Sequence, residues 1–224
     1  MKTFFIENTQ PQKQLSTKYL SEEQIFIIKK ITQEYPDTIF AGSLSLITHG
    51  WLQRKVGDLD IITKDNYYSR NIFYPKYRVS GSCASEQSII KNGDLTWTIR
   101  TFKLEFPILE NKINIDVIWK RINPEYTIFD LDGIQIKIEN PIKAVDFKIS
   151  YLKNNISVKN FKKHFTDILE ILGNVSDIHR QYIIKKLSES IIDSKFINNR
   201  YDNNFKWPEA YKYVIYPNFN NLKK

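Results

Sequence analysis

The sequence predicts an α/β (α+β) fold in which a sheet domain is followed by a C-terminal helical domain. Over residues 22–63, apolar residues recur first at helical spacing and then in short strand-like runs. Residues 77–138 have the alternation and the turn signals of strands. From residue 140 onward the apolar period is helical again. An alternation of helices and strands that gives way to a run of helices is typical of this fold class.

The first predicted element is a core-facing helix. Ser21 is a suitable N-cap, and it is followed by two glutamates and then by isoleucines at helical spacing, up to Pro36. Three short elements are predicted next: a strand over 38–41, a helix over 43–50 and a strand over 58–63. The isoleucines of the last strand are expected to anchor it in the core.

The middle of the chain is predicted to consist of strands joined by tight turns. Asn92-Gly93 and Asp132-Gly133 are dipeptides that favour two-residue hairpins. The predicted strand regions are 77–90, 95–106, 112–119 and a hairpin over 129–138. A helix is predicted to begin at Pro141, because proline suits the first helical position, and two more helices are predicted over 157–173 and 176–194.

These elements predict three regions. Residues 1–18 form a polar N-terminal arm, 19–139 the sheet domain, and 140–224 the helical domain with an aromatic, asparagine-rich tail. No internal repeat is present in the sequence.

Composition predicts a cytoplasmic protein without a membrane partner. Cys83 is the single cysteine, so no internal disulfide can form, which favours a reducing compartment. No apolar run reaches the roughly 18–20 residues that span a bilayer. The apolar run over 4–6 is too short for the core of a signal peptide.

The charge balance has two interpretations. The chain carries 33 lysines and arginines against 25 acidic residues, a formal charge of +8. Such a balance favours polyanions such as nucleic acids or nucleotide phosphates. A coding bias that fills the surface with solvated lysines explains it equally well. Because basic residues become denser after residue 140, we expect that half to contact a nucleic acid if one binds.

Two closely spaced acidic residues follow a predicted glycine-containing turn in the sequence. Asp58 and Asp60 are one residue apart on a predicted strand, so their side chains share one face and repel each other. A divalent cation such as Mg²⁺ removes that conflict. Gly42-Ser43 upstream supplies a tight turn and N–H groups for a triphosphate. The stretch predicts half of a metal-dependent phosphoryl or nucleotidyl transfer site.

A third acid lies on a later strand. Asp116 is flanked by Ile115 and Val117 in a segment otherwise committed to the core, where an acid is costly unless it is paired or bound to metal. A two-metal site needs about three carboxylates. The alternative is an edge strand on which Asp116 and Asn114 face water.

These residues together resemble the polymerase-beta-type nucleotidyltransferase superfamily. The shared pattern is Gly42-Ser43, then Asp58-Leu59-Asp60, then Asp116 on an apolar strand. The spacing is slightly long for the small antibiotic nucleotidyltransferases and closer to that of the abortive-infection type II toxins and their relatives, in which an arginine commonly precedes the acid pair, as Arg54 does here. Further matches are Lys148 and the helical segment with Lys163, His164 and Asp167.

The resemblance implies a fold and a metal site. It implies a nucleotidyltransferase palm with a mixed β-sheet over 19–139. Asp58 and Asp60 would hold Mg²⁺, and Asp116 would bind the catalytic ion of a Mg²⁺ pair and help to deprotonate an attacking hydroxyl. These three acids are the expected catalytic and metal-binding residues.

The resemblance also implies nucleotide-binding residues. Gly42 and Ser43 would contact the triphosphate of an NTP, and Arg54, Lys148 and Lys163 would lie near the phosphates or the acceptor. Simpler interpretations remain for three of them: Ser43 as a helix N-cap, Arg54 as an exposed loop charge, Lys163 as part of a solvated helix face. His49, His164 and His179 lack zinc-ligand spacing and are expected to be structural or surface residues.

The implied function is the transfer of a nucleoside monophosphate from an NTP to an acceptor hydroxyl. RNA, most of all tRNA, is the expected acceptor and a protein is the next, in a toxin or defence-related enzyme that has a possible protein partner. Two alternatives stay open. One is an inactive binding protein of the same fold, such as an antitoxin or a nucleic-acid-binding module. The other is an antibiotic nucleotidyltransferase.

Overall fold

A computed structural model of the chain describes residues 13–63, 78–79, 86–91, 94–105, 113–120, 124–153 and 158–192. The predictions made for Cys83, for the Asn92-Gly93 dipeptide and for the aromatic tail lie outside the described residues.

Within those ranges the chain forms five helices and nine strands, in an order close to the predicted one. The helices are α1 Glu22–Glu34, α2 Gly42–Thr48, α3 Pro141–Lys153, α4 Val158–Asn174 and α5 Asp177–Ile192. The strands are β1 Lys13–Gln14, β2 Ile39–Ala41, β3 Leu59–Thr63, β4 Arg78–Val79, β5 Glu86–Lys91, β6 Asp94–Glu105, β7 Ile113–Lys120, β8 Tyr126–Leu131 and β9 Ile134–Glu139.

Helix α1 begins with a complete capping box. The hydroxyl of Ser21 accepts a hydrogen bond from the backbone N–H of Gln24 at 3.2 Å, and the Ser21 N–H donates to the Gln24 side chain at 3.0 Å. Such a cap stabilises a helix by about 1 kcal/mol. Ile27, Ile28 and Ile31 form the fully buried stripe of the helix, which confirms the prediction from their spacing.

The described strands form one mixed sheet, which confirms the expected fold class. Its order is β1-β8-β9-β2-β3-β7-β6-β4, and β5 also pairs with β6. At its centre β2 is antiparallel to β3, while β3 is parallel to β7. One row of paired residues runs across β9, β2, β3 and β7, and each of its residues is at most 2% exposed: Ile138, Phe40, Ile61 and Val117.

The turn at Asp132-Gly133 has the predicted hairpin geometry. Both residues have positive φ, 52° and 82°, as a two-residue type I′ turn requires. The turn joins β8 to β9, which pair antiparallel from Leu131↔Ile134 to Tyr126↔Glu139.

Part of the predicted N-terminal arm belongs to the sheet. Lys13 and Gln14 pair in parallel with Phe129 and Asp130 of β8. Leu15 follows with a backbone hydrogen bond to the Asp130 carbonyl at 2.8 Å, and its side chain is buried. The pairing uses backbone groups, which is why the polar side chains of this segment gave no strand signal.

The described chain divides into two compact units. Residues 13–44 with 55–140 form the first, which contains α1 and the sheet, and residues 45–54 with 141–192 form the second, which contains α3, α4 and α5. Helix α2 begins in the first unit and ends in the second. The sequence did not predict that residues 45–54 group with the C-terminal helices, and the domain ranges 19–139 and 140–224 stay a prediction.

In the second unit, α3 packs against both α4 and α5 around an apolar core. That core includes Ala144, Val145, Ile149, Leu152, Phe165, Ile168, Ile171, Ile183 and Leu187. The Tyr182 hydroxyl donates to the Asp146 carboxylate at 2.9 Å, and burial together with that carboxylate raises the pKa of Tyr182 to about 12. None of the helices in the described part of the chain has the length and hydropathy to cross a membrane.

Candidate active site

Asp60 and Asp116 occupy the same position on neighbouring strands. The register of the parallel pair β3–β7 places Asp60 opposite Asp116, and β2 places Ala41 on the other side of Asp60. Registered residues project to one face of a sheet, and adjacent strands are about 4.8 Å apart. The two carboxylates are therefore direct neighbours, and both residues are half-buried.

Their strand neighbours explain why both acids point to this face. Leu59 and Ile61 flank Asp60, and Ile115 and Val117 flank Asp116; all four are buried on the opposite face. Because β7 lies between β3 and β6, it is an interior strand. The alternative in which Asp116 belongs to an edge strand is wrong.

Asp58 lies just outside strand β3. Strand β3 begins at Leu59, and Asp58 lies in the bend before it, so the predicted placement of Asp58 on the strand is wrong. Strand alternation does not fix the direction of a side chain in a bend. Among the described residues no group of three or more acids, histidines and cysteines is close enough to hold a metal ion.

Gly42 lies directly against the Asp60 carboxylate. Its φ is +60°, and a Cβ atom on it would lie 1.8 Å from Oδ2 of Asp60 and 2.6 Å from Cγ. A side chain here would displace the Asp60 carboxylate, and an L-residue is strained at that φ. Glycine is thus favoured at this position on two independent counts. The next residue, Ser43, is buried and lies inside α2, whose first residue is Gly42, rather than at the N-cap position.

The second unit contains a buried ionic cluster of two cations around one carboxylate. Arg54 donates through Nε to Oδ1 of Asp167 and through Nη2 to Oδ2, both at 2.8 Å. Lys148 donates through Nζ to Oδ2 of Asp167 at 2.7 Å. Lys148 and Asp167 are each 3% exposed. The alternative in which Arg54 is an exposed loop charge is therefore wrong.

The pKa values in this cluster follow from burial and from the neighbouring charges. Burial alone would raise the pKa of Asp167, but the hydrogen bonds from Arg54 and Lys148 and their charges lower it to about 2. Burial, reinforced by the charges of Lys148 and Lys163, lowers the pKa of His164 to about 3. At neutral pH the cluster therefore contains an ionised carboxylate and an uncharged imidazole.

The remaining histidines have structural positions, as expected. His49 follows directly after α2, and its Nδ1 atom is 2.8 Å from the carbonyl oxygen of Ser45 within that helix. The ring of His179 packs on Trp51 with 4.9 Å between the ring centroids, and its Nδ1 lies 3.1 Å from the Ser176 hydroxyl.

The predicted site residues fall into two groups. The first unit contains Asp58, Asp60, Asp116, Gly42 and Ser43, and the second contains Arg54, Lys148 and Lys163. Of the second group, Lys163 is exposed on α4, as the solvated-face interpretation has it. Sequence reasoning did not assign a role to Asp167. The available signal was an acid within the apolar stripe of α4, between the buried Phe165 and Ile168.

Comparison with known proteins gives similarities of fold. No protein-family model matches the sequence, and no curated protein matches it either. The structure is similar to that of an antigenic nucleotidyltransferase-like protein from Paracoccidioides brasiliensis, with 14% identity, a TM-score of 0.43, and coverage of 81% of this chain and 95% of that one. It is also similar to MenT4, a nucleotidyltransferase toxin from Mycobacterium tuberculosis, with 14% identity, a TM-score of 0.43, and coverage of 77% and 65%.

Proposed function

We propose that the chain is a Mg²⁺-dependent nucleotidyltransferase, which transfers a nucleoside monophosphate from an NTP to an acceptor hydroxyl and releases pyrophosphate. The observation that carries this proposal is the registered pair of Asp60 and Asp116 on the central strands β3 and β7. Two neighbouring acids on one face of a sheet repel each other, and a bound divalent cation removes that repulsion.

The donor chemistry at this place suits Mg²⁺. Carboxylate oxygens are the ligands that this ion prefers, and it is held in proteins by one or two carboxylates together with substrate phosphates and water. The neighbouring carboxylates of Asp60 and Asp116 satisfy that requirement. Asp58, in the bend two residues before Asp60, is the proposed third ligand, and its side chain would have to move toward the pair to reach the ion. When bound, a Mg²⁺ pair neutralises charge on the transferred phosphate and lowers the pKa of the attacking hydroxyl.

The residues of the first unit have distinct proposed roles. Asp116 accepts the proton of the acceptor hydroxyl, as a carboxylate within hydrogen-bond reach of it can do. Gly42 and Ser43 contact the triphosphate. Because Gly42 has no side chain, its backbone can be approached both by the Asp60 carboxylate and by a phosphate.

The cations of the second unit are proposed to contribute to phosphate binding unequally. The side chain of Arg54 is 27% exposed, and that of Lys148 is 4% exposed. Arg54 and the exposed Lys163 are therefore the proposed contacts, whereas Lys148 contributes mainly through its charge and through Asp167. The two cations around Asp167 outweigh its single negative charge, so the cluster attracts anions.

The proposed acceptor is RNA, in the first place tRNA, and in the second place a protein, as expected of a toxin or defence enzyme. The formal charge of +8 supports a polyanionic acceptor.

A labelling assay tests the proposal. The purified chain is incubated with Mg²⁺, each labelled NTP in turn, and total tRNA, total protein or aminoglycosides. Labelled tRNA is the expected result. Asp60→Asn and Asp116→Asn should abolish labelling. Asp132→Asn should not, because Asp132 is an exposed acid in the β8–β9 turn that pairs with Lys29.

Each other outcome identifies an alternative. Labelled aminoglycoside would indicate an antibiotic nucleotidyltransferase. Binding of NTP in calorimetry without labelling of any acceptor would indicate an inactive binding protein. Absence of both labelling and NTP binding would overturn the proposal.

A further inference from the structure

The carboxylate of Asp167 is too deeply buried to meet a ligand itself. It is 3% exposed, yet it engages both cations that are proposed to attract a nucleotide. Arg54 approaches it with the Nε–Nη2 edge, in the planar two-bond geometry that fixes a guanidinium in orientation. In this geometry the Nη1 corner points away from the carboxylate.

We infer that Asp167 is a positioning residue for phosphate binding: its buried carboxylate fixes the Arg54 guanidinium, with Lys148 as the second anchor, in the orientation in which Arg54 meets a phosphate. This inference rests on the proposed function and goes further in one respect. It assigns a negatively charged residue to the binding of a negatively charged ligand.

Electrostatics explains why this carboxylate is needed. Arg54 and Lys148 both contact Oδ2 of Asp167, so two positive charges are held close together inside the second unit. Without the carboxylate they repel each other and would move toward water, and the long arginine side chain would regain its rotamer freedom. The binding of a phosphate would then have to order the Arg54 side chain, and this loss of conformational entropy would weaken binding.

The direction in which anion affinity changes when the Asp167 carboxylate is removed separates positioning of Arg54 from simple attraction by net charge. If only net charge mattered, removal of a carboxylate from this cluster would strengthen anion binding. If Asp167 positions Arg54, its removal weakens anion binding. Asp167→Asn is suitable because it keeps the size of the side chain but replaces one acceptor oxygen with an NH₂ group, which cannot accept from Arg54 or Lys148.

Helix α4 offers a matched control. Glu170 lies three residues after Asp167 and also holds the segment 45–54, but through the backbone N–H of Gln53 at 2.6 Å. Glu170→Gln removes a charge of the same sign from the same helix, and the amide oxygen still accepts that hydrogen bond. It leaves the contacts of Arg54 in place.

The experiment is calorimetric titration of the full chain with ATP and Mg²⁺, and separately with inorganic tripolyphosphate. Asp167→Asn is expected to weaken binding of both by about tenfold to a hundredfold, the usual effect of losing charge-assisted hydrogen bonds. Glu170→Gln should bind as the wild type does, or slightly more tightly. Equal or tighter binding by Asp167→Asn would overturn the inference. Absence of ATP binding by the wild-type chain would overturn the proposed function instead.

A second variant covers the case in which Asp167→Asn does not fold. Arg54→Lys keeps the charge but loses the two-bond geometry. Positioning predicts that binding of tripolyphosphate again weakens by about tenfold, which corresponds to the loss of one good charge-assisted hydrogen bond. Unchanged affinity of a folded Arg54→Lys chain would contradict the inference.

Discussion

The Asp60 carboxylate occupies the space that a side chain at position 42 would need. A Cβ atom on Gly42 would lie 1.8 Å from Oδ2 of Asp60, and the φ of +60° at Gly42 is strained for other residues. The register that pairs Ala41 with Asp60 brings the start of α2 against the acid. The proposed triphosphate loop and the proposed metal ligand are thus in direct contact and cannot change independently.

Gly42→Ala should therefore be severely destabilising and inactivating. The strained φ costs about 1–2 kcal/mol and the displaced carboxylate about 1–3 kcal/mol more. A shift of Asp60 by about 1 Å is enough to lower the rate of nucleotide transfer by about a hundredfold. Denaturant unfolding and the labelling assay measure the two effects.

Gly133→Ala is the control for this variant. Its φ is +82°, but nothing lies within 4 Å of the position of the added Cβ, so only the backbone strain is expected. Labelling should be unchanged. If both variants lost the same stability and both retained activity, the contact between Gly42 and Asp60 would have no functional meaning.

Asp116→Asn should abolish labelling without lowering stability. Removal of one of two neighbouring carboxylates relieves a like-charge contact across β3 and β7, which destabilises a sheet by about 0.2–1 kcal/mol. The free energy of unfolding measured without Mg²⁺ should therefore equal or slightly exceed that of the wild type. A large loss of stability would instead indicate that Asp116 is a structural residue.

Mg²⁺ should stabilise the folded wild-type chain. An ion that binds only the folded state adds about 2.7 kcal/mol at a hundredfold excess over its Kd. The melting temperature should rise with Mg²⁺ concentration in the wild type and stay constant in an Asp60→Asn, Asp116→Asn double variant. An equal rise in the melting temperature of both proteins would show that the ion binds at another site.

Strand alternation was sufficient to predict the faces of Asp60 and Asp116. Their apolar neighbours commit one face to the core, so each acid had to project to the other face. Their direct juxtaposition could not be predicted, because the parallel register of β3 and β7 is set by packing between distant segments. The position of Asp58 was predicted incorrectly because the strand was predicted to begin one residue too early, at Asp58 instead of Leu59.

The ionic cluster shows a different limit of prediction from the sequence. Arg54 and Asp167 are separated by 113 positions, and no periodic pattern links a loop arginine to one helical acid. The grouping of residues 45–54 with α3, α4 and α5 was missed for the same reason. Such long-range pairs depend on the tertiary fold, whereas α1, α3 and the β8–β9 hairpin follow from local signals.

His164 should make the stability of the chain depend on pH below neutrality. Its pKa is lowered from 6.5 to about 3 by burial and by the charges of Lys148 and Lys163. Between these values the unfolded chain binds a proton that the folded chain does not, so the stability falls as the pH decreases from about 6.5 to about 3. The loss is of the order of 5 kcal/mol at most, because one pKa unit corresponds to about 1.4 kcal/mol.

The same measurement separates His164 from Asp167. The pKa of Asp167 is lowered from 3.8 to about 2, so its contribution is present above pH 3.8 and is lost only as the pH falls toward 2. In His164→Gln, denaturant unfolding should therefore show a flat stability between about pH 6.5 and pH 4, with the loss below pH 4 retained. Thr166→Ala, a neutral change at an exposed position on α4, should keep the wild-type profile. A His164→Gln chain that kept the full slope between pH 6.5 and pH 4 would show that the imidazole is charged in the folded protein and that the cations around it do not set its pKa.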